Sequence, residues 1–269
     1  MSERTSRWAR ASMAAGLLAA VAVIPCAAGA GPPPEDPSGP GSVVIVHATV
    51  QHPGTARVDT LNWSYPGYVA LRGAGDVFEE LAAFRGHAMR LQSGERVSVE
   101  MVSHTYFSVL EVGAVVGRTF RADEDAAPLA APVALLGHGL WRREFGADPR
   151  VLGATVELDG RAFTVIGVLP EGFRGLSDSA EVWVPLMMAP VAYPDDVWFE
   201  ARTSWLGVVG RLKPDVTFGE AEAAVADAAA RVAHVEGAPG EWGGCGGATI
   251  VPVESATGDA RLRRAAWVL

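Results

Sequence analysis

Residues 155–168 read TVELDGRAFTVIGV, and the fold turns on them. Two β-prone runs, 155–158 and 161–168, flank Asp159-Gly160, a dipeptide that tolerates the positive φ angles of a two-residue type I′ turn. The stretch predicts a β-hairpin in the middle of the chain. Its surroundings have the same texture of short strands and turns. Residues 133–136 (VALL) form a brief apolar strand, and 181–185 (EVWVP) another that ends at a proline. Between them Leu140, Trp141 and Phe145 fall on one face of a short helix beginning near His138.

Outward from this β-rich centre, helices appear on both sides. On the C-terminal side, 205–212 reads as a strand and 213–216 as a turn. Thr217 and Glu220 then stand at capping-box spacing, where the Thr hydroxyl accepts from the Glu amide and the Glu carboxylate returns the bond. Phe218, Ala221, Ala224 or Val225, Ala228 and Val232 make the apolar stripe of the helix that follows. Residues 237–247 are a glycine-rich loop, and 248–253 returns as a strand. On the N-terminal side, 43–50 (VVIVHATV) is a β-branched strand, and 64–84 reads as a helix with Ser64 as cap and Pro66 in its first turn. Gly73 and Gly75 interrupt that helix. Residues 96–102 alternate, with Val97, Val99 and Met101 facing a core. The expected fold class is α+β: two βαβ-like halves, 42–104 and 201–256, with a β-rich segment, 105–200, inserted between them.

The 269 residues are 49% hydrophobic and 20% charged, which excludes wholesale disorder. Outside 11–30 no uncharged apolar run approaches the roughly 20 residues of a spanning helix, so the chain does not read as a polytopic membrane protein. A net charge of −9 argues against a nucleic-acid partner, which requires a basic face. Only Lys213 among the 22 basic residues is a lysine, a compositional bias without functional content.

The N-terminus has export character. Arg4, Arg7 and Arg10 precede an apolar stretch, 14–24, and small residues follow at 28–30. This is the form of a signal peptide, and the segment 1–30 is also just long enough to serve as a membrane anchor if it is not cleaved. Pro25 before Cys26 departs from a lipoprotein signal. Residues 31–41 (GPPPEDPSGPG) form a Pro/Gly linker. Cys26 and Cys245 lie at opposite ends of the chain, which leaves redox chemistry and a four-cysteine zinc site without support.

No arrangement of residues carries catalysis. His47, His52, His87, His104, His138 and His234 show no zinc spacing, and no Gly-x-Ser-x-Gly elbow marks a nucleophile. Asp123-Glu124-Asp125 and Asp195-Asp196 lack the alternation of a calcium loop and read as solvated loop acids. The glycine loop lacks the Gly-Lys-Ser/Thr ending of a phosphate cradle. Trp141, Trp183 and Trp205 lie on predicted elements and read as core, leaving Trp198 and Trp242 as candidate surface contacts. The sequence assigns no catalytic residue, cofactor or metal ligand.

One ordered series of motifs carries a family resemblance. Tyr106-Phe107-Ser108-Val109-Leu110, Gly117-Arg118-Thr119-Phe120, Pro132 to Leu136, Gly139-Leu140-Trp141, Asp148-Pro149, Leu158-Asp159-Gly160, 163–168 and Gly172-Phe173 resemble the MacB-like periplasmic core domain of ABC transporter permeases. The likeness is nearest to the duplicated orphan permeases of acidobacteria, and it extends over roughly 45–255, including Trp183-Val184-Pro185-Leu186 and 208–217 (VVGRLKPDVT). It implies an extracytoplasmic domain without catalytic residues, made of a porter-like subdomain with a β-rich subdomain inserted and held between two membrane helices, with permease membrane subunits and a separate ATPase as partners near the inner membrane. Gly117, Arg118, Gly139, Trp141, Asp159 and Gly160 are then turn and packing positions. Residues 257–269 are a basic and apolar tail where that family begins its second membrane helix, so the expectation is a permease truncated after its outer domain. The alternative is a freestanding secreted module that binds a ligand through Trp198, Trp242 and the glycine loop.

Overall fold

The computed structural model describes residues 41–253 apart from 53, 74–75, 195–198, 200–203 and 237–246, and it leaves the side chains of 232–236 undescribed. The expectations for 1–40 and 254–269, for Asp195-Asp196, for the glycine loop before Gly247 and for the side chains of Val232 and His234 lie outside the described residues. So do Trp198 and Trp242.

The chain begins with β1 (Val43–Gln51), whose even-numbered residues Val44 and Val46 are buried on one face and Ile45 on the other. A short β2 (Val58–Leu61) folds back on its end. Next comes α1 (Tyr65–Arg72), capped by the Ser64 hydroxyl, which accepts from the Gly67 amide at 3.0 Å. Pro66 sits in the first turn as expected. The helix stops at Gly73, however, and Phe78, Leu81 and Phe84 belong to a long strand, β3 (Phe78–Arg90). The expected helix over 64–84 is thus corrected. The physical reason is pairing: β3 is bonded on both sides, to β4 (Arg96–Val102) and to a later strand, and that ladder overrides a weak helical periodicity.

The central segment contains α2 (Tyr106–Val109), β5 (Val116–Gly117), β6 (Val133–Leu136) and α3 (His138–Phe145). The hairpin β7 (Thr155–Leu158) and β8 (Arg161–Val168) follows with its expected register, Leu158 opposite Arg161. Asp159 and Gly160 have φ of +48° and +78°, as the type I′ reading requires. The hairpin tip is stitched to the end of β3: the Asp159 amide donates to the Arg90 carbonyl, and the Arg90 amide to the Asp159 carboxylate, both at 2.9 Å. Then come β9 (Val182–Pro185), α4 (Ala189–Ala192), β10 (Gly207–Leu212), α5 (Phe218–Glu236) and β11 (Gly247–Pro252).

Among the described residues all eleven strands form one sheet, in the order β11-β1-β10-β3-β4-β9-β6-β8-β5, with β2 on β1 and β7 on β8. Because β10 is antiparallel to both β1 and β3, those two strands are parallel and α1 crosses between them. Because β1 is antiparallel to both β10 and β11, those two are parallel and α5 crosses between them. Two βαβ units are therefore present and interleaved, each split by a strand of the other, in the β-α-β-β-α-β pattern; the second is the expected one, whereas the first closes on β3 and not on the expected strand 96–102, which runs antiparallel to β1. Both faces of the sheet are covered. One core holds Leu71, Leu140 and the α5 stripe Ala221, Val225 and Ala228; the other holds Tyr106, Phe107, Phe120, Phe173 and Trp183. No described helix is long and apolar enough to cross a membrane.

Candidate functional site

Double coverage has a consequence for β4. Val97, Val99 and Met101 face the first core as the alternation predicts, but the opposite face is no solvent face, and Glu100 is 0% exposed. Its carboxylate accepts from the Tyr106 hydroxyl at 2.7 Å, from Trp183 Nε1 at 2.8 Å and from the Ser177 amide at 2.8 Å. Burial pushes the Glu100 pKa above the usual carboxylate range, against the pull of these hydrogen bonds. Tyr106 is pushed well above the ordinary phenol value by its own burial and then by the adjacent Glu100 charge. Sequence reasoning missed Glu100. The available signal was an acid between Val99 and Met101 in a strand whose neighbours Val97 and Val102 are also apolar.

The acidic run at 123–125 also departs from expectation. Asp123 is exposed, but Glu124 is 6% exposed and lies in a 3-10 turn, Ala122–Asp125. Arg118 grips it with two nitrogens at 2.8 and 2.7 Å, and the Arg121 amide donates at 2.9 Å. Burial alone would raise the Glu124 pKa, yet these bonds and the guanidinium charges hold it below the usual range. Asp125 accepts from the amides of His104 and Met187, each at 3.1 Å, and so ties this turn to the chain after β9. These two acids are structural ties rather than solvated loop acids, because the backbone turn aims them inward at donors.

The remaining candidates scatter. His52 bonds Asp59 at 2.8 Å, His87 shares a 3.1 Å bond with the Tyr193 hydroxyl, and the His138 ring meets Trp141 edge-on. His47 lies on β1, its pKa lowered by burial. No three metal-ligating side chains converge among the described residues. Trp63, Trp183 and Trp205 are core residues, at 4%, 0% and 2% exposure. Trp141 is half-buried and donates to the Asp148 carbonyl at 2.9 Å. Gly117 holds φ +75° against the Ile166 carbonyl, where a Cβ would overlap it, whereas Gly139 has open space beside it. Gly117 is thus a required close approach and Gly139 is not.

Three open depressions of about 420, 410 and 380 Å³ lie among the described residues. The first brings together Arg72, Glu79, Glu80, His104 and Thr105. The Thr105 hydroxyl there already donates to the Leu81 carbonyl at 2.7 Å. The second is lined by Leu91, Leu140, Phe145 and Val156, and the third by the start of α3 with Arg142, Glu171 and Arg174.

No curated protein matches the sequence. Solved structures share the fold, among them domains of two ABC-type transporters. The periplasmic region of MacB from Actinobacillus actinomycetemcomitans superimposes with a TM-score of 0.56 at 16% identity, over 80% of this chain and 90% of that one. The extracellular domain of the noncanonic ABC-type transporter YknZ from Gram-positive bacteria gives 0.55 at 16% identity, over 78% and 99%. The family model of the MacB-like periplasmic core domain matches residues 20–228, which take in the central hairpin, the Tyr106-Phe107 and Gly117-Arg118 motifs and most of α5. The chain therefore belongs to the family of MacB-like periplasmic core domains of ABC transporter permeases.

Proposed function

We propose that this chain is a non-catalytic extracytoplasmic element that serves interaction or coupling in a membrane transport complex, with permease membrane subunits and an ATPase as partners. One observation carries the reading: the carboxylates of Glu100, Glu124 and Asp125 are each bonded to donors from other segments and hold the fold together. A scaffold built this way transmits displacement rather than performing chemistry. In this reading residues 42–104 and 201–256 form a porter-like subdomain and 105–200 an inserted one, which meet at the β4–β9 pairing. Residues 1–30 direct export or anchor the domain outside the membrane, and the acidic chain engages no nucleic acid.

Affinity purification of the tagged chain from gently solubilised native membranes tests the proposal. The expected outcome is co-purification of an ABC permease membrane subunit or its ATPase. Recovery as a soluble monomer free of both would overturn it.

A further inference from the structure

Glu100 and Glu124 are the acids buried among the described residues, and they are held differently. Glu124 has the guanidinium of Arg118, whereas Glu100 is held by neutral donors. Those donors come from three other pieces of chain. The Tyr106 hydroxyl belongs to α2, the Trp183 indole to β9, and the Ser177 amide to the segment 170–181 that links β8 to β9. The Tyr106 hydroxyl in turn accepts from the Leu176 amide at 2.8 Å.

The position of this cluster matters. Glu100 and Trp183 are register partners in β4 and β9, and β4–β9 is the named strand pairing that joins the interleaved βαβ strands to the central ones. The segment 170–181 lies over that seam as a strap. Gly172, Gly175 and Asp178 adopt φ of +78°, +69° and +52°, curling it so that two successive amides point inward. At Gly175 a Cβ would overlap the Glu100 carboxylate, so the strap seats directly on the charge. Phe173 stacks on Trp183, with ring centroids 5.3 Å apart and planes at 26°, while Arg174 and Asp178 face outward.

We propose that the Glu100 carboxylate is a lock that holds the 170–181 strap closed over the β4–β9 seam, and that the strap opens as a unit when this lock is lost. A buried charge without a counter-cation is tolerated only while every neutral donor is in place. Lifting the strap removes the Ser177 bond and hydrates the carboxylate, and the gain in hydration offsets part of what opening breaks. That makes the strap a two-state element whose opening is cheaper than global unfolding. The raised pKa of Glu100 fits the same picture, since it expresses the cost of keeping the charge dry. The inference holds whichever partner the domain engages.

Amide hydrogen exchange of the full chain tests it, comparing the natural protein with Glu100→Gln. Glutamine keeps the shape but turns an NH2 toward either the Ser177 amide or the Tyr106 and Trp183 donors. The expected result is exchange about tenfold or more faster in 173–180, with the amides of β1 and α5 little changed. Unaltered exchange in the strap, or the same acceleration throughout the chain, would overturn the proposal. If that variant does not fold, Tyr106→Phe removes the Leu176 acceptor and one donor to Glu100 while keeping the ring. It too should accelerate the strap selectively, and the absence of selectivity would count against the lock. The natural protein supplies a third reading: the Leu176 and Ser177 amides should exchange with a smaller denaturant dependence than those of β4. Equal dependence would mean that the strap opens only with the whole domain.

Discussion

Two glutamates in one fold respond to pH in opposite senses. Glu124, gripped by Arg118, has a folded pKa below its unfolded value. Its stabilisation is present above the unfolded pKa and is lost as pH falls through the folded one. Glu100 has a folded pKa above its unfolded value. Its contribution is full below the unfolded pKa and is lost as pH rises through the folded one. Urea melts across this range should therefore show Glu100→Gln losing less stability than the natural protein as pH rises from acid to neutral. Replacing Arg118 by Met removes the two-nitrogen grip on buried Glu124, leaving the more distant Arg121 guanidinium at 3.7 Å, and should cost about 1–3 kcal/mol near neutral pH by the same measurement, the partly exposed Arg118 setting the low end. Glycines divide as sharply. Gly117→Ala combines a left-handed φ with a clash against the Ile166 carbonyl and should cost about 1–3 kcal/mol or more, while Gly139→Ala in the first turn of α3 should be neutral or gain about 0.5–1 kcal/mol. Thermal or chemical denaturation of the pair checks both signs.

At the level of elements, local chemistry was legible wherever a few adjacent residues suffice. The capping box of α5 is present, with the Glu220 carboxylate 2.9 Å from the Thr217 amide and the Thr217 hydroxyl 3.3 Å from the Glu220 amide. Thr217→Ala should cost about 1 kcal/mol in urea denaturation. The Asp159-Gly160 turn and the Ser64 cap were equally readable, since each depends on φ preferences and side-chain reach within four residues. The stretch from Phe78 to Phe84 was not readable in this way. Its residues satisfy a helical spacing approximately, but buried Ala82 and Ala83 face opposite sides of a sheet covered on both faces, an environment that no window of sequence contains. β2 went unseen for a related reason: it is four residues long and exists by pairing with the end of β1.

The whole molecule is held together by interleaving. Since β10 lies between β1 and β3, the half made of 42–104 lacks its central strand until 201–256 arrives. A fragment of 42–104 alone should show no cooperative thermal transition by circular dichroism, and mixing it with 201–256 should not be needed for the intact chain, which should melt in one step. By itself the sequence determined the α+β class, the hairpin, the caps, the second βαβ half and the family, because periodicity, turn chemistry and motif order are properties of neighbouring residues. Only the tertiary structure decided which strand lies beside which, and with it the fate of the acids. Glu100 and Glu124 read as ordinary polar positions until the second face of the sheet is covered and the turn at 122–125 is folded inward. A charge becomes a structural tie through the donors that distant segments bring to it, and for Glu100 those donors lie 6, 77 and 83 residues away along the chain.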